Sequence, residues 1–363
     1  MKKIVSILIL LIFSLSLPVY AVENSYADEA EAIIAYKISQ SGAKSFDEWT
    51  EGLAQTAGNG AEWYVIALHQ LGKSADLGKY SQELADSLSA KNQKGTNAQR
   101  CAMGFLAANC NSIYIEHAVN NTIGSQGIMS YIWGLHLLSN GAKSAEYSPE
   151  ALAEKIVSFK LSDGGFALSG TASNVDVTAM AVSALAPYYG KNASVKDAID
   201  SSLAFLSSVQ AENGGFVNYG AENCESAAQV IIALCALGID PTADTRFIKN
   251  GKSAVDSLRS YAMGDGSFSH ISGGGTNESA NQQALHAFTA LARLESGKSG
   301  LFMLDAQADA TPSGFRDVSF DKPNNKPEEK SADIKTIVCV CVIAVCAAGI
   351  GITLLVPKKK KIE

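Results

Sequence analysis

From residue 193 to 237 the apolar positions change rhythm once, across a glycine-rich break. Ala198, Ile199, Leu203, Phe205, Leu206 and Val209 fall on one face of a helix, with Asp197, Asp200, Ser201 and Ser208 opposite. This predicts a surface helix with a single apolar stripe. From 230 to 237 the chain is apolar all round, which a helix tolerates only when it is buried on every side. Asn213-Gly214-Gly215-Phe216 lies between the two and reads as a turn whose glycines supply positive φ or close backbone approach. One unit is therefore an outer amphipathic helix, a turn and an inner helix.

The unit recurs. Asp163-Gly164-Gly165-Phe166 precedes Asp176-Val177-Thr178-Ala179-Met180, and Asp265-Gly266-Ser267-Phe268 precedes Glu278-Ser279-Ala280-Asn281. The phenylalanines are 50 and then 52 residues apart. A fixed period of this size means stacked supersecondary units, each burying a face against its neighbours. Asn174, Asn223 and Asn277 stand where helix N-caps belong, just ahead of Asp176, Glu225 and Glu278.

The first half of the chain supplies three further helix pairs: 28–40 with 60–68, 80–90 with 97–108, and 113–120 with 126–138. About twelve helices then form one domain over 22–304, with two separate helical bundles as the alternative. Residues 1–21 read as a secretory signal: Lys2-Lys3, an apolar run, then Val19-Tyr20-Ala21 as the cleavage site. From 305 to 335 the chain is polar and carries Pro312, Pro323 and Pro327, the composition of a linker. A transmembrane helix is expected over 336–357, where twenty successive residues (337–356) carry no charge. Lys358-Lys359-Lys360-Lys361 lies in the basic tail, 358–363, and places the C-terminus in the cytoplasm. The expectation is a single-pass protein of the cell membrane with its helical domain outside. No Leu-Pro-x-Thr-Gly wall-sorting motif precedes the apolar stretch.

With the repeat in view, a resemblance becomes specific. Phe205-Leu206, three residues, Gln210, three residues and Gly214-Gly215-Phe216 resemble the "QW" form of the prenyltransferase and squalene-oxidase repeat, with Phe in place of Trp. Lys160 and Ala262 stand where the other two glutamines would be. The repeat occurs in terpenoid cyclases, protein prenyltransferase β subunits, carriers of the transcobalamin type and Gram-positive surface-anchored proteins. The resemblance implies an all-α fold, an α/α toroid of about six helical hairpins in inner and outer rings.

What it implies about chemistry can be tested residue by residue. Protonating cyclases use Asp-x-Asp-Asp, and the corresponding stretch here is Asn174-Val175-Asp176-Val177, which keeps only the middle acid. A lone carboxylate at a helix start is expected to be held ionised by the local N–H groups. Asp176 is therefore the single weak catalytic candidate. Prenyltransferases place Asp-x-Cys at one inner-helix start and a histidine in a later one. Glu225-Ser226-Ala227 and Glu278-Ser279-Ala280-Asn281 lack the thiol and the imidazole, so no metal is expected. No cofactor is expected either. The Cys-Gly-Glu-Gln of thioester domains, Gly-x-Ser-x-Gly and His-Glu-x-x-His do not occur. The five histidines, His69, His117, His136, His270 and His286, read as structural.

Glu62, Asp176, Glu225 and Glu278 each open an inner helix. They can simply satisfy orphan N–H groups, or they can form an acidic ring at one mouth of the toroid that holds a ligand; the two readings are compatible. Phe166, Phe216 and Phe268 read as core between units. Trp63, Trp133, Tyr188, Tyr189 and Tyr219 are the candidates for a cavity lining that would suit a flat or apolar ligand. The expected ligand-binding set is thus Glu62, Asp176, Glu225, Glu278, Tyr219, Trp63, Trp133 and Tyr188.

Charge narrows the partners. Residues 22–333 hold 35 acids against 22 Lys and Arg, and so acidic a domain repels nucleic acid. Cys101, Cys110, Cys224 and Cys235 lie outside the apolar tail without metal-site spacing, and a Cys101–Cys110 bridge stays open. The function that emerges is a tethered extracellular binder of a small ligand, corrinoid-like by the resemblance, or of a surface protein. The alternative is an isoprenoid cyclase or transferase.

Overall fold

The computed structural model describes residues 25–91, 93–306 and 309–320. The expected signal segment, membrane helix and basic tail lie outside these residues. Among the described residues there are thirteen α-helices, and no helix there is long and apolar enough to cross a membrane.

Six of them form the inner ring: α3 (Ala61–Gln70), α5 (Gly95–Ala107), α7 (Gly127–Ser139), α9 (Val175–Leu185), α11 (Cys224–Ala236) and α13 (Glu278–Glu295). Each packs on the next, and α13 packs back on α3, which closes the ring. The outer ring is α1 (Tyr26–Ser41), α4 (Gly78–Ala90), α6 (Tyr114–Thr122), α8 (Pro149–Val157), α10 (Ala193–Val209) and α12 (Ala254–Arg259). Short α2 (Phe46–Gly52) links α1 to α3. Burial separates the rings as the patterns require: every residue of α3 is buried, whereas α1 buries only Ala30, Ile33 and Ile34. Buried side chains from Ala30 to Val318 form one continuous core, so the two-bundle alternative does not hold.

One expected pairing changes. The sequence pairs the helix at 28–40 with the inner helix at 60–68, yet α1 packs on α13. A closed ring explains this. From α6 onward each outer helix packs chiefly on the inner helix before it, and α1, having none, completes the last unit. The turn glycines show the same rule. Gly164, Gly214 and Gly266 have φ of 92°, 85° and 89°, and a β-carbon on them would collide with the carbonyls of Ser201, Ser253 and Ala32. Those carbonyls belong to α10, to the N-cap of α12 and to α1, the next outer helix in each case. Only glycine fits at these contacts. Phe166 and Phe216 are fully buried and Phe268 nearly so, as core between units.

The fold departs from all-α in one small ribbon, β1 (Val217–Asn218) paired antiparallel with β2 (Ala221–Glu222). Tyr219 and Gly220 join them, both at positive φ (49° and 89°), the geometry of the tight hairpin turn that matches strand twist.

The expected linker from 305 is a correction over its first part. Leu301 and Phe302 are buried against the C-terminal ends of the inner helices, where Asn140 donates to the Phe302 carbonyl at 2.7 Å. The Arg293 guanidinium grips both carboxylate oxygens of Asp305. Residues 309–320 then run across α4, α5 and α6. Asp317 accepts from the Ser112 hydroxyl (2.6 Å) and the Ile113 amide (2.9 Å), Val318 is buried, and Phe320 stacks on His117 at 3.9 Å. A polar composition can still dock when its few apolar residues and its acids each meet a partner. Cys101, Cys110, Cys224 and Cys235 are all free, buried thiols, so the open bridge is not formed.

Candidate functional site

With the inner helices parallel, their N-terminal ends meet at one rim. Going round it, α9, α11, α13 and α3 bring Asp176, Glu225, Glu278 and Glu62, so the acids open four successive helices of the six. The fates of these four differ.

Asp176 and Glu225 belong to one cluster, and the repeat builds it. The N-cap Asn174 accepts the Val177 amide through Oδ1 (3.0 Å), which leaves its NH₂ to donate to Asn218 Oδ1 at 2.7 Å. The Asn218 amide is thereby oriented, and its own NH₂ donates to Asp176 Oδ2 at 2.7 Å. One unit later, His270 Nδ1 meets Glu225 Oε2 at 2.7 Å, while the Cys224 amide donates to the His270 carbonyl at 3.0 Å. Asn218 and His270 each follow a repeat phenylalanine by two residues, and each reaches the acid of the preceding unit.

Three oxygens in this cluster have no hydrogen-bond partner although they are shielded from solvent: Asp176 Oδ1, Glu225 Oε1 and Ser226 Oγ. Glu225 is 1% exposed and Ser226 is 0%. Asp176 keeps some accessible surface, although its carboxyl is closely surrounded by protein. Ser226 is close enough to Asp176 to favour its ionised form, but the two make no well-formed hydrogen bond. Unpaired buried oxygens are rare and costly, about 1–3 kcal/mol each, so three together need an explanation.

Burial also sets the protonation. It raises the Asp176 carboxyl to about 6, against the pull of Ser226 and Asn218, with the nearby Glu225 charge adding to the rise. This reverses the expectation that the helix start would hold Asp176 ionised: desolvation outweighs the N-terminal field here. Burial raises Glu225 as well, and the Glu225 carboxylate raises His270. Tyr219 stands 63% exposed beside Asp176 at the hairpin turn, with Val217 and Ile271 exposed nearby in sequence on the same two loops.

The other expected site residues go elsewhere. Glu62 is fully buried and fully used: it accepts from the Gly58 amide (2.6 Å), the Gly60 amide (3.0 Å) and Arg100 Nε (3.2 Å). Glu278 is half exposed, paired with Lys37 at 2.6 Å and accepting from Tyr64 at 2.6 Å. It is the first residue of its helix, whereas Asp176 and Glu225 are the second, because the third unit is spaced differently. Trp63 and Trp133 were expected to line a cavity, and this is corrected. They pack edge to face at 5.5 Å, with Phe302 on Trp133 at 5.4 Å and His286 on Trp63, and so fill the centre of the ring. Tyr188 follows the C-terminal end of α9, at the opposite rim, and its hydroxyl pairs with Ser139 at 2.9 Å.

His270, which the sequence reads as structural, joins this cluster through Glu225. Its offset from Phe268, shared by Asn218 and Phe216, was the available signal. His69, His136 and His286 are buried; burial lowers His136 to about 3 and His286 to about 4. Among the described residues no group of three or more His, Cys, Asp or Glu is arranged to hold a metal ion. Two surface recesses of about 330 and 600 Å³ lie away from this rim, one under residues 310–312 and one between α1 and α12.

Two concentric rings of parallel helices with a polar rim define an α/α toroid. The chain belongs to the prenyltransferase alpha-alpha toroid domain family, whose model matches residues 98–315. Helices α1 to α4, ahead of that match, complete the ring. No curated protein matches the chain. A crystal structure of unsaturated glucuronyl hydrolase from Bacillus sp. GL1 is similar over 78% of this chain and 99% of that one, at 15% identity and a TM-score of 0.49. At that level the likeness informs neither site nor substrate.

Proposed function

We propose that the chain is a membrane-tethered extracellular binding protein that captures a small ligand at the rim between α9 and α11. The observation that carries this reading is the group of three shielded, partnerless oxygens, Asp176 Oδ1, Glu225 Oε1 and Ser226 Oγ, at one helix-start rim. A ligand offering donors there would recover the hydrogen bonds that the free protein leaves unmade. The exposed Tyr219, held in a left-handed turn conformation that a tyrosine rarely adopts, adds an aromatic surface beside them. The apolar tail outside the described residues supplies the tether in this reading.

Native mass spectrometry of the full chain, purified from its own host in mild detergent, tests it. A small-molecule mass that is present on the wild type and absent from Asp176→Asn supports capture at this rim, and a corrinoid mass would name the cargo. A bound mass that Asp176→Asn and Glu225→Gln both retain places binding elsewhere and defeats the reading.

A second reading is acid–base catalysis, the chemistry that the isoprenoid alternative requires. It is favoured by the Asp176 carboxyl lying near 6, a range suited to proton donation. Against the isoprenoid form of it, Trp63, Trp133 and Phe302 occupy the centre of the ring. Product formation from a prenyl diphosphate that is abolished in Asp176→Asn would establish it.

A further inference from the structure

At the opposite rim, where the inner helices end, one imidazole faces carbonyl oxygens with both of its nitrogens. His69 lies in the last turn of α3 and is buried. Its Nδ1 is 2.8 Å from the carbonyl of Ala107, the last residue of α5, and its Nε2 is 3.0 Å from the carbonyl of Asp305. A carbonyl oxygen only accepts, and a neutral imidazole has one N–H. In either tautomer, one nitrogen would turn its lone pair on an oxygen at hydrogen-bond distance. With both nitrogens protonated, the ring donates to both carbonyls. The place suits that charge, because α3 and α5 both end there and a helix C-terminus attracts a cation. The acids nearby are matched by other partners. Arg293 of α13 grips the Asp305 carboxylate, with Lys298 at 3.5 Å. Asp76 and Lys73 line the recess beside the ring; Asp76 accepts the Gly78 amide at 2.9 Å, and Lys73 pairs with Glu31 of α1.

We propose that His69 is a proton-dependent clasp: with both nitrogens protonated it ties Asp305 to the ends of α3 and α5, and on losing one proton it loosens that contact. The bond to Ala107 is buried and the bond to Asp305 only partly so. The neutral ring therefore keeps its proton on the Ala107 side, and its bare Nε2 repels the Asp305 carbonyl. Gln70 still donates to the Leu301 and Met303 carbonyls, and Arg293 still holds Asp305, so the segment loosens rather than detaches. Ala310 and Pro312, a few residues on, wall the recess beside the ring. The proton on His69 thus sets how firmly that wall is held, tighter when the ring is charged and weaker as pH rises. His117, lowered by burial, stacks on Phe320 at the far end of the segment and acts on a different stretch.

The test uses the full chain in detergent, with nitrogen-15 in its histidines, at about pH 5.5 and about pH 8, on either side of the ordinary histidine value. NMR reads how many protons the His69 ring carries, with His69→Asn to assign it. Hydrogen exchange, corrected for its intrinsic pH dependence, reads the Leu304 and Ala310 amides, which donate to Asn140 Oδ1 and to the Asn109 carbonyl on either side of Asp305. At the lower pH both ring nitrogens should carry protons. The two amides should be about ten-fold better protected there than at the higher pH, the worth of one charge-assisted hydrogen bond. His69→Asn, which ends at an amide in place of Nδ1, should show the weaker protection at both pH values, and circular dichroism checks its helicity. His117→Asn should keep the step. A single ring proton on His69 at the lower pH would overturn the clasp. Equal protection of the wild type at both pH values would do the same, as would a step of full size in His69→Asn. Should His69→Asn not fold, assignment of the ring by elimination through variants of the other histidines leaves the two wild-type readings to decide.

Discussion

Glu62 and Glu225 occupy the same position, second in an inner helix of the same ring, and both are shielded from water. Glu62 meets two backbone amides and the Arg100 guanidinium, and Arg100 in turn lies over the Trp63 ring. Glu225 meets one imidazole nitrogen and leaves an oxygen bare. Asp176, one unit back, likewise spends one oxygen on Asn218 and none on the other. A buried acid whose every lone pair is claimed is part of the scaffold. One that keeps an unclaimed oxygen bears a cost that a ligand can remove. Position in the repeat therefore does not decide role; the number of donors converging on the carboxylate does.

The comparison can be broken hardest at Glu62. Glu62→Gln removes the charge that compensates buried Arg100, and stability to urea should fall by about 3–5 kcal/mol. An unchanged midpoint would show that Arg100 finds other partners and that Glu62 is no more structural than Glu225.

The next effect appears in pH. The Asp176 carboxyl lies at about 6 in the folded chain against an ordinary 3.8, so the folded state binds more protons than the unfolded one between those values. Its contribution to stability is present below the ordinary value and is lost as pH rises through about 6, by up to about 3 kcal/mol. Asp176→Asn should remove this fall, leave the one of the same direction from Glu225, and match or exceed the wild type in stability above pH 7. Unfolding midpoints measured from pH 4 to 8 read both. A variant that is less stable than the wild type at pH 7.5 would mean that the ionised Asp176 is well paired.

The smallest effect is expected at Glu278, whose ion pair with Lys37 is partly solvated. Glu278→Gln should cost under about 1 kcal/mol and less at high salt. A loss comparable to that at Glu62 would place Glu278 in the scaffold.

Much of this architecture was legible because it repeats. Phe166, Phe216 and Phe268 mark the period, Gly164, Gly214 and Gly266 mark the turns, and Asn174, Asn223 and Asn277 mark the helix starts, each through local chemistry that a sequence displays directly. The rim acids followed from the helix starts. What stayed hidden depends on how units stack. That Asn218 serves Asp176, and His270 serves Glu225, is a contact between successive units. That α1 closes on α13 follows from the ring, and no local pattern shows it. The aromatics were ambiguous for another reason: Trp63 and Trp133 suit a cavity wall and a packed centre equally, and only the space between the helices decides. The segment from 305 misled because Phe315, Val318 and Phe320 are few among many polar residues, yet each finds an apolar neighbour.

The most direct test of the account is the titration of the Asp176 carboxyl itself, followed by carbon-detected NMR with Asp176→Asn to assign the signal. The account predicts a midpoint near 6, with one carboxylate oxygen left without a donor. A midpoint at or below the ordinary 3.8 would show that donors converge on Asp176 as they do on Glu62, and the rim would then be scaffold throughout.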